Sequence, residues 1–154
     1  MATDQNQYLG NPLLKKANVP VEFTKEQIQE YQKCMDDPVY FIQEYMKIVS
    51  LDEGLVPFKM YDFQRNMVKT FHDNRFTICK LPRQSGKSTT IIAYLLHYVL
   101  FNPNVNVAIL ANKSSTARDI LGRLQLGYEN LPKWLQQGVI SWNKGSLDLE
   151  NGSS

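Results

Sequence analysis

The chain has 154 residues, of which 43% are hydrophobic and 21% charged, and its formal net charge is +2. This is the size and composition of one ordinary globular domain, and it excludes wholesale disorder, a collagen-like repeat and a disulfide mini-protein. So small a charge demands no nucleic-acid or anionic-membrane partner, so any DNA contact must come from a local site.

Cys34 and Cys79 stand apart, with no CxxC and no neighbouring histidine, and His72 and His97 are equally isolated. No metal cluster is expected, and the cysteines read as buried reduced thiols of a cytosolic protein. Residues 1–10 are polar and hold no apolar signal core. The longest apolar stretch, residues 91–101, is far short of the roughly 20 residues a membrane span needs, so no membrane partner is expected.

Residues 1–20, with Gly10, Pro12 and Pro20, read as a flexible leader. Leu13 and Leu14 can dock there, and Lys15 and Lys16 are expected to be solvated. Residues 21–58 read as an N-terminal helical segment. Thr24 caps the first helix while Gln27 reaches back, a capping box, and the helix ends near Asp36. Asp37 caps a second helix with Pro38 in its first turn, and Val39, Ile42 and Met46 give it an apolar face. Asp52-Glu53-Gly54 is a turn, and residues 55–58 are extended because a residue before proline avoids the helical region.

Met60, Phe63, Met67 and Phe71 return to helical spacing. Residues 75–81 read as a strand, and residues 88–101 as a helix apolar nearly all round, hence sandwiched between layers. Residues 106–111 form a nearly continuous apolar run, as in a buried parallel strand. Ser114 or Ser115 can cap a helix running to about Leu126, and a short helical piece over 132–137 follows. Residues 139–142 and 146–149 read as a hairpin joined through Asn143-Lys144-Gly145. The strand–helix–strand–helix rhythm over 75–126 predicts an α/β parallel sheet. Two parallel strands and a hairpin make a thin sheet, and the Asn151-Gly152 turn leaves Ser153 and Ser154 without a partner strand. The expectation is therefore the front part of a longer protein.

Chemistry concentrates in Leu81-Pro82-Arg83-Gln84-Ser85-Gly86-Lys87-Ser88-Thr89, which ends as a P-loop (Walker A) does. Gly86 lets backbone N–H groups approach phosphate oxygens, Lys87 offers a charge to the β and γ phosphates, and the Ser88 hydroxyl can ligate Mg²⁺. The positive end of the following helix faces the same anion. The first glycine of the pattern is replaced by Leu81. A bare Gly-Lys-Ser/Thr triplet arises by chance roughly once in ten chains of this length. Context therefore carries the weight: an apolar strand directly before and a long apolar helix directly after. Arg83 can reach a γ-phosphate in cis and stabilise transition-state charge. Its alternatives are a salt bridge elsewhere or a ground-state phosphate contact. In Tyr61-Asp62-Phe63-Gln64-Arg65, the Gln64 amide suits an adenine edge and Phe63 can pack on the base.

At these residues, together with Ala108-Ile109-Leu110-Ala111-Asn112-Lys113 and Trp142-Asn143-Lys144-Gly145-Ser146, the chain resembles the N-terminal part of the large terminase subunit of T4-like tailed bacteriophages, from about Asn11 to Ser154. A phosphate loop with Arg-Gln before Gly-Lys and no first glycine is typical of that family. The resemblance implies a P-loop NTPase fold of the helicase-like type, with an incomplete parallel-type sheet flanked by helices, residues 59–154 being its front part. It implies ATP and Mg²⁺ as cofactors. Phe63, Gln64, Arg83, Gln84, Ser85, Gly86, Lys87, Ser88 and Thr89 would bind nucleotide, Arg83 and Lys87 would act in catalysis, and Ser88 would hold the metal. Residues 107–111 with Asn112 and Lys113 match a segment coupling nucleotide state to DNA, although Lys113 and Arg118 read equally as a solvated helix start.

The same resemblance implies ATP-driven translocation of double-stranded DNA into a preformed capsid by a homo-oligomeric ring on the portal protein. A small terminase subunit initiates, and a C-terminal nuclease cuts the concatemer. The place implied is the cytoplasm of an infected bacterial host, transiently at the procapsid portal. The family's Walker B Asp-Glu pair, downstream coupling motif and nuclease domain do not occur in these residues, and Asp148 with Glu150 is a poor substitute. Poor or partial folding and little ATP hydrolysis by these residues alone are expected. Two other readings stand beside this one: a helicase-like DNA-dependent ATPase, and a non-catalytic nucleotide-binding module.

Overall fold

The computed structural model describes residues 6–50 and 52–154. In chain order its elements are β1 (Gln7–Tyr8), β2 (Asn11–Lys15), α1 (Lys25–Asp36), α2 (Pro38–Tyr45), β3 (Lys47–Ser50) and β4 (Gly54–Pro57). Then come α3 (Asp62–Asp73), α4 (Lys87–Phe101), α5 (Ser114–Glu129), β5 (Val139–Trp142) and β6 (Leu147–Leu149). Among the described residues no helix is long and apolar enough to cross a membrane.

Helix α4 is the centre. Its apolar residues point in every direction, and Ile92, Ala93, Leu96, Val99 and Leu100 are buried as α2, α3 and α5 pack round it. Local chemistry fixes the helices that surround it. Thr24 Oγ1 accepts from Gln27 N while Gln27 Oε1 accepts from Thr24 N, closing the capping box of α1. Asp37 Oδ1 accepts from Val39 N and Tyr40 N at the start of α2. Glu30 on α1 then takes the hydroxyls of Tyr40 (2.5 Å) and Tyr45 (2.9 Å), clamping the two helices together. Cys34 is fully buried, and burial pushes its thiol up to about 12; Cys79 is only half-buried, against the expectation of two buried thiols.

The N-terminal segment departs from a loose leader. Residues 1–5 lie outside the described residues, but β1 and β2 pair antiparallel and Leu14 is 1% exposed within the core. Leu13 stays exposed. The buried Gln136 amide accepts from Lys15 N and donates to Leu13 O, so it replaces the ladder partner that a solvated strand lacks. Glu150 accepts from Lys15 Nζ, Asn18 N and Gly138 N. Lys16 bridges Val139 in parallel fashion and ties this hairpin to β5. The physical reason is long-range: its partners lie at residues 136–150, outside any local pattern.

The sheet is the second departure. Among the described residues there are three two-stranded antiparallel sheets, β1–β2, β3–β4 and β5–β6, and residues 75–81 and 106–111 belong to none of them. Ile78 is 97% and Leu110 92% exposed. Their apolar runs carry strand propensity, yet a strand exists only when a neighbour takes its backbone hydrogen bonds. One such neighbour begins to form. Ser154 N donates to Val105 O and Val107 N donates to Ser154 O, two bonds bracketing Asn106 as a parallel neighbour does. Ser153 is buried and its hydroxyl donates to Asn102 O.

Two smaller expectations also change. Lys113, not Ser114 or Ser115, is the N-cap of α5, with no side-chain bond, and α5 runs to Glu129. Residues 132–137 make a turn rather than a helical piece, through Leu135 N to Pro132 O and Gln136 N to Lys133 O. The 139–149 hairpin forms as expected, because Asn143 Oδ1 accepts from Gly145 N and Ser146 N and closes the turn.

Candidate nucleotide site

The loop at residues 81–86 runs out of the unpaired segment and into the start of α4. Two of its residues are left-handed, Gln84 at φ +62° and Gly86 at φ +74°. Gly86 is the N-cap of α4 and no side chain caps this end. Glycine is required there twice over, since a Cβ would sit 2.5 Å from Gln64 Nε2. Gln84 holds the same backbone region without that freedom, which stores about 1–3 kcal/mol of local strain.

The first helical bond of α4 runs from Thr90 N to Gly86 O, and the Thr90 hydroxyl donates to the same carbonyl. The amides of Gly86, Lys87, Ser88 and Thr89 take no backbone or side-chain acceptor among the described residues. Free N–H groups at the positive end of a helix are the chemistry that suits an anion. The Ser85 hydroxyl is buried with no hydrogen-bond partner. Arg83 is exposed and Lys87 half-buried, and neither is in an ion pair among the described residues. Ser88 is exposed at the second position of the helix. The loop residues expected to bind nucleotide, from Arg83 to Thr89, therefore lie together.

A cavity of about 560 Å³ opens beside the loop, between Tyr61, Phe63 and Gln64 on one side and Gln84, Ser85 and Gly86 on the other. That is within the ~300–1,000 Å³ common for small-molecule sites. Phe63 is among the residues that line it. Tyr61, which the sequence alone gave no role, stacks on Phe63 with ring centroids 5.9 Å apart and planes 9° apart. Tyr61 is the N-cap of α3, directly before Asp62 and Phe63 in its first turn. Gln64 lines the same cavity. Its amide is 2% exposed, Oε1 accepts from Tyr61 N (2.9 Å) and Nε2 donates to Ser85 O (3.3 Å).

Other charged residues are engaged elsewhere. Burial opposes ionisation of Glu150, but the amides of Gly138 and Asn18 and the Lys15 ammonium hold its carboxyl below the usual range. Asp148, Arg118 and Lys144 line a separate cavity of about 370 Å³ under residues 107–109, with no loop residue in its wall. Neither Asp148 nor Glu150 thus serves the phosphate loop.

Residues 78–154 match the family model described as terminase large subunit, T4likevirus-type, N-terminal. The chain belongs to this family. Membership supports a role in phage DNA packaging. The matched half contains the phosphate loop, α4, α5 and the β5–β6 hairpin; α3, with Tyr61, Phe63 and Gln64, lies before it.

Proposed function

We propose that residues 81–89 bind the triphosphate of Mg²⁺–ATP and that this is the nucleotide-binding part of a DNA-packaging ATPase. The observation that carries the reading is the uncapped start of α4, where four amides without an acceptor, an orphan Ser85 hydroxyl and an unpaired Lys87 fall within residues 85–89. The amides and Lys87 hold the β and γ phosphates, Ser88 ligates Mg²⁺, and Arg83 meets the charge that develops on the γ-phosphate. Gln84 and Thr89 line the phosphate turn, and Phe63 with Tyr61 flanks the base.

The fold is read as a P-loop NTPase of the helicase-like type, with residues 75–81 and 105–111 as its parallel strands once neighbours take their hydrogen bonds. Hydrolysis would drive double-stranded DNA into a preformed capsid. The chain would act in a ring on the portal protein, alongside a small terminase subunit and a nuclease, in the host cytoplasm. Water activation needs an Asp-Glu pair beside Ser88, and Asp148 and Glu150 lie elsewhere. A second reading, a nucleotide-binding module without catalysis, would use the same loop.

The test is titration of the chain with Mg²⁺–ATP, wild type against Lys87→Ala. Wild-type binding and at least a tenfold loss in the variant are expected, because one charge-assisted phosphate contact is removed. Equal affinities would overturn the assignment. ATP turnover by the same preparation separates the two readings, and DNA packaging with a complete terminase carrying Lys87→Ala should fail.

A further inference from the structure

We infer that Asn151 is a deamidation site that the fold keeps closed, and that its conversion to aspartate releases residues 104–107 from the end of α4. Asn151-Gly152 is the only Asn-Gly pair in the chain. A glycine after asparagine leaves the next amide nitrogen unhindered, which is what closure of a succinimide ring needs.

The structure uses both residues of the pair. Asn151 Nδ2 donates to Val99 O (2.8 Å) and Leu100 O (3.4 Å), two of the carbonyls that the last turn of α4 leaves without a helical partner. Asn151 Oδ1 accepts from Ser153 N, and Asn151 O accepts from Asn104 N. The next two residues extend the contact: Val105 N donates to Ser153 Oγ and Val107 N to Ser154 O. One side-chain amide thus seats residues 104–107 on the end of α4. Gly152 stands at φ +80°, and a Cβ there would strike the Asn104 side chain. Glycine is therefore required beside this asparagine, and the reactive pair comes with the fold.

In the reaction the Gly152 nitrogen bonds to Asn151 Cγ, the Cγ–Nδ2 bond breaks, and the displaced Gly152 proton leaves with Nδ2 as ammonia. Water then opens the ring at either carbonyl, giving aspartate or isoaspartate at 151, with nothing oxidised or reduced. The folded chain holds both nitrogens away from this path, since Gly152 N donates to Leu149 O (3.0 Å) and Nδ2 is held by α4. Conversion therefore runs through a locally opened form. The product sets a carboxylate oxygen against Val99 O and Leu100 O, at the negative end of α4, where a donor stood. The opened arrangement is then favoured, and the change is one-way.

The test ages the full chain at mildly alkaline pH, folded in buffer and unfolded in guanidinium chloride, and reads aspartate and isoaspartate at each asparagine by peptide mass mapping. Asn151 should convert faster than any other asparagine in the unfolded chain, and about tenfold or more slowly once folded. Equal rates in the two states, or another asparagine leading in the unfolded chain, would overturn the inference. Asn151→Asp carries the product. Amide exchange at Asn104, Val105 and Val107 should quicken in it by about fivefold or more, while the exposed Asn66→Asp on α3 leaves these amides unchanged. Unchanged exchange in Asn151→Asp would overturn the release. If that variant does not fold, the converted fraction of aged wild type is separated by ion exchange and read in its place, and native exchange there has the same consequence.

Discussion

His97 shows how one side chain can set the acid limit of the fold. It sits on the inward side of α4 among the rings of Phe41, Tyr94 and Phe101, and its Nε2 lies 2.8 Å from Cys34 O. The neutral ring with Nε2–H donating satisfies that carbonyl, while Nδ1 has no partner. Burial pulls its pKa down to about 4, against the smaller opposing effect of the Cys34 bond. An unfolded histidine titrates near 6.5, so between pH 6.5 and 4 the unfolded chain holds the extra proton. Stability then rises with pH across that window and falls on acidification. The loss from this one group between pH 7 and pH 5 is about 2 kcal/mol. Urea unfolding at the two pH values should show it for the wild type and not for His97→Phe, which keeps the aromatic packing without the titrating ring. An equal pH response in both proteins would show that His97 does not set it.

At the scale of elements, what the sequence reveals depends on how far away the partner lies. The caps of α1 and α2 are legible because Thr24–Gln27 and Asp37–Val39 are neighbours. The 139–149 hairpin is legible because Asn143 closes its own turn. The candidate loop can be picked out for the same reason, as its residues are contiguous from Leu81 to Thr89. The use made of Gln64 is not, because Ser85 lies in a different element. Nor is the docking of the β1–β2 hairpin, whose holders Gln136 and Glu150 are over 100 residues on. That docking has a measurable strength. Leu14 is the apolar anchor, and Leu14→Ala should cost about 3 kcal/mol in urea unfolding. It should also open residues 16–20 to protease, while the exposed Leu13→Ala changes little. A Leu14→Ala chain as stable and as resistant as wild type would mean the hairpin merely lies on the surface.

At the scale of the whole molecule, an apolar core round α4 coexists with two apolar segments that belong to no sheet. Phe76, Ile78 and Leu110 project apolar side chains into water, and the segments bearing them lie in no sheet. An extended apolar edge with free N–H and C=O groups is a template for another strand. The first bonds along residues 105–107 are already taken by Ser154, which leaves residues 108–111 as the open run. Above some concentration the chain should therefore associate through these edges, with sedimentation showing species larger than a monomer and infrared absorption showing added strand. Ile78→Lys with Leu110→Lys places a charge on each edge, a common device against edge pairing. Because both side chains are almost wholly exposed, the double variant should suppress association without shifting the urea midpoint. If the wild type stays monomeric at millimolar concentration, or the double variant associates as readily, the unpaired segments are not the adhesive surface.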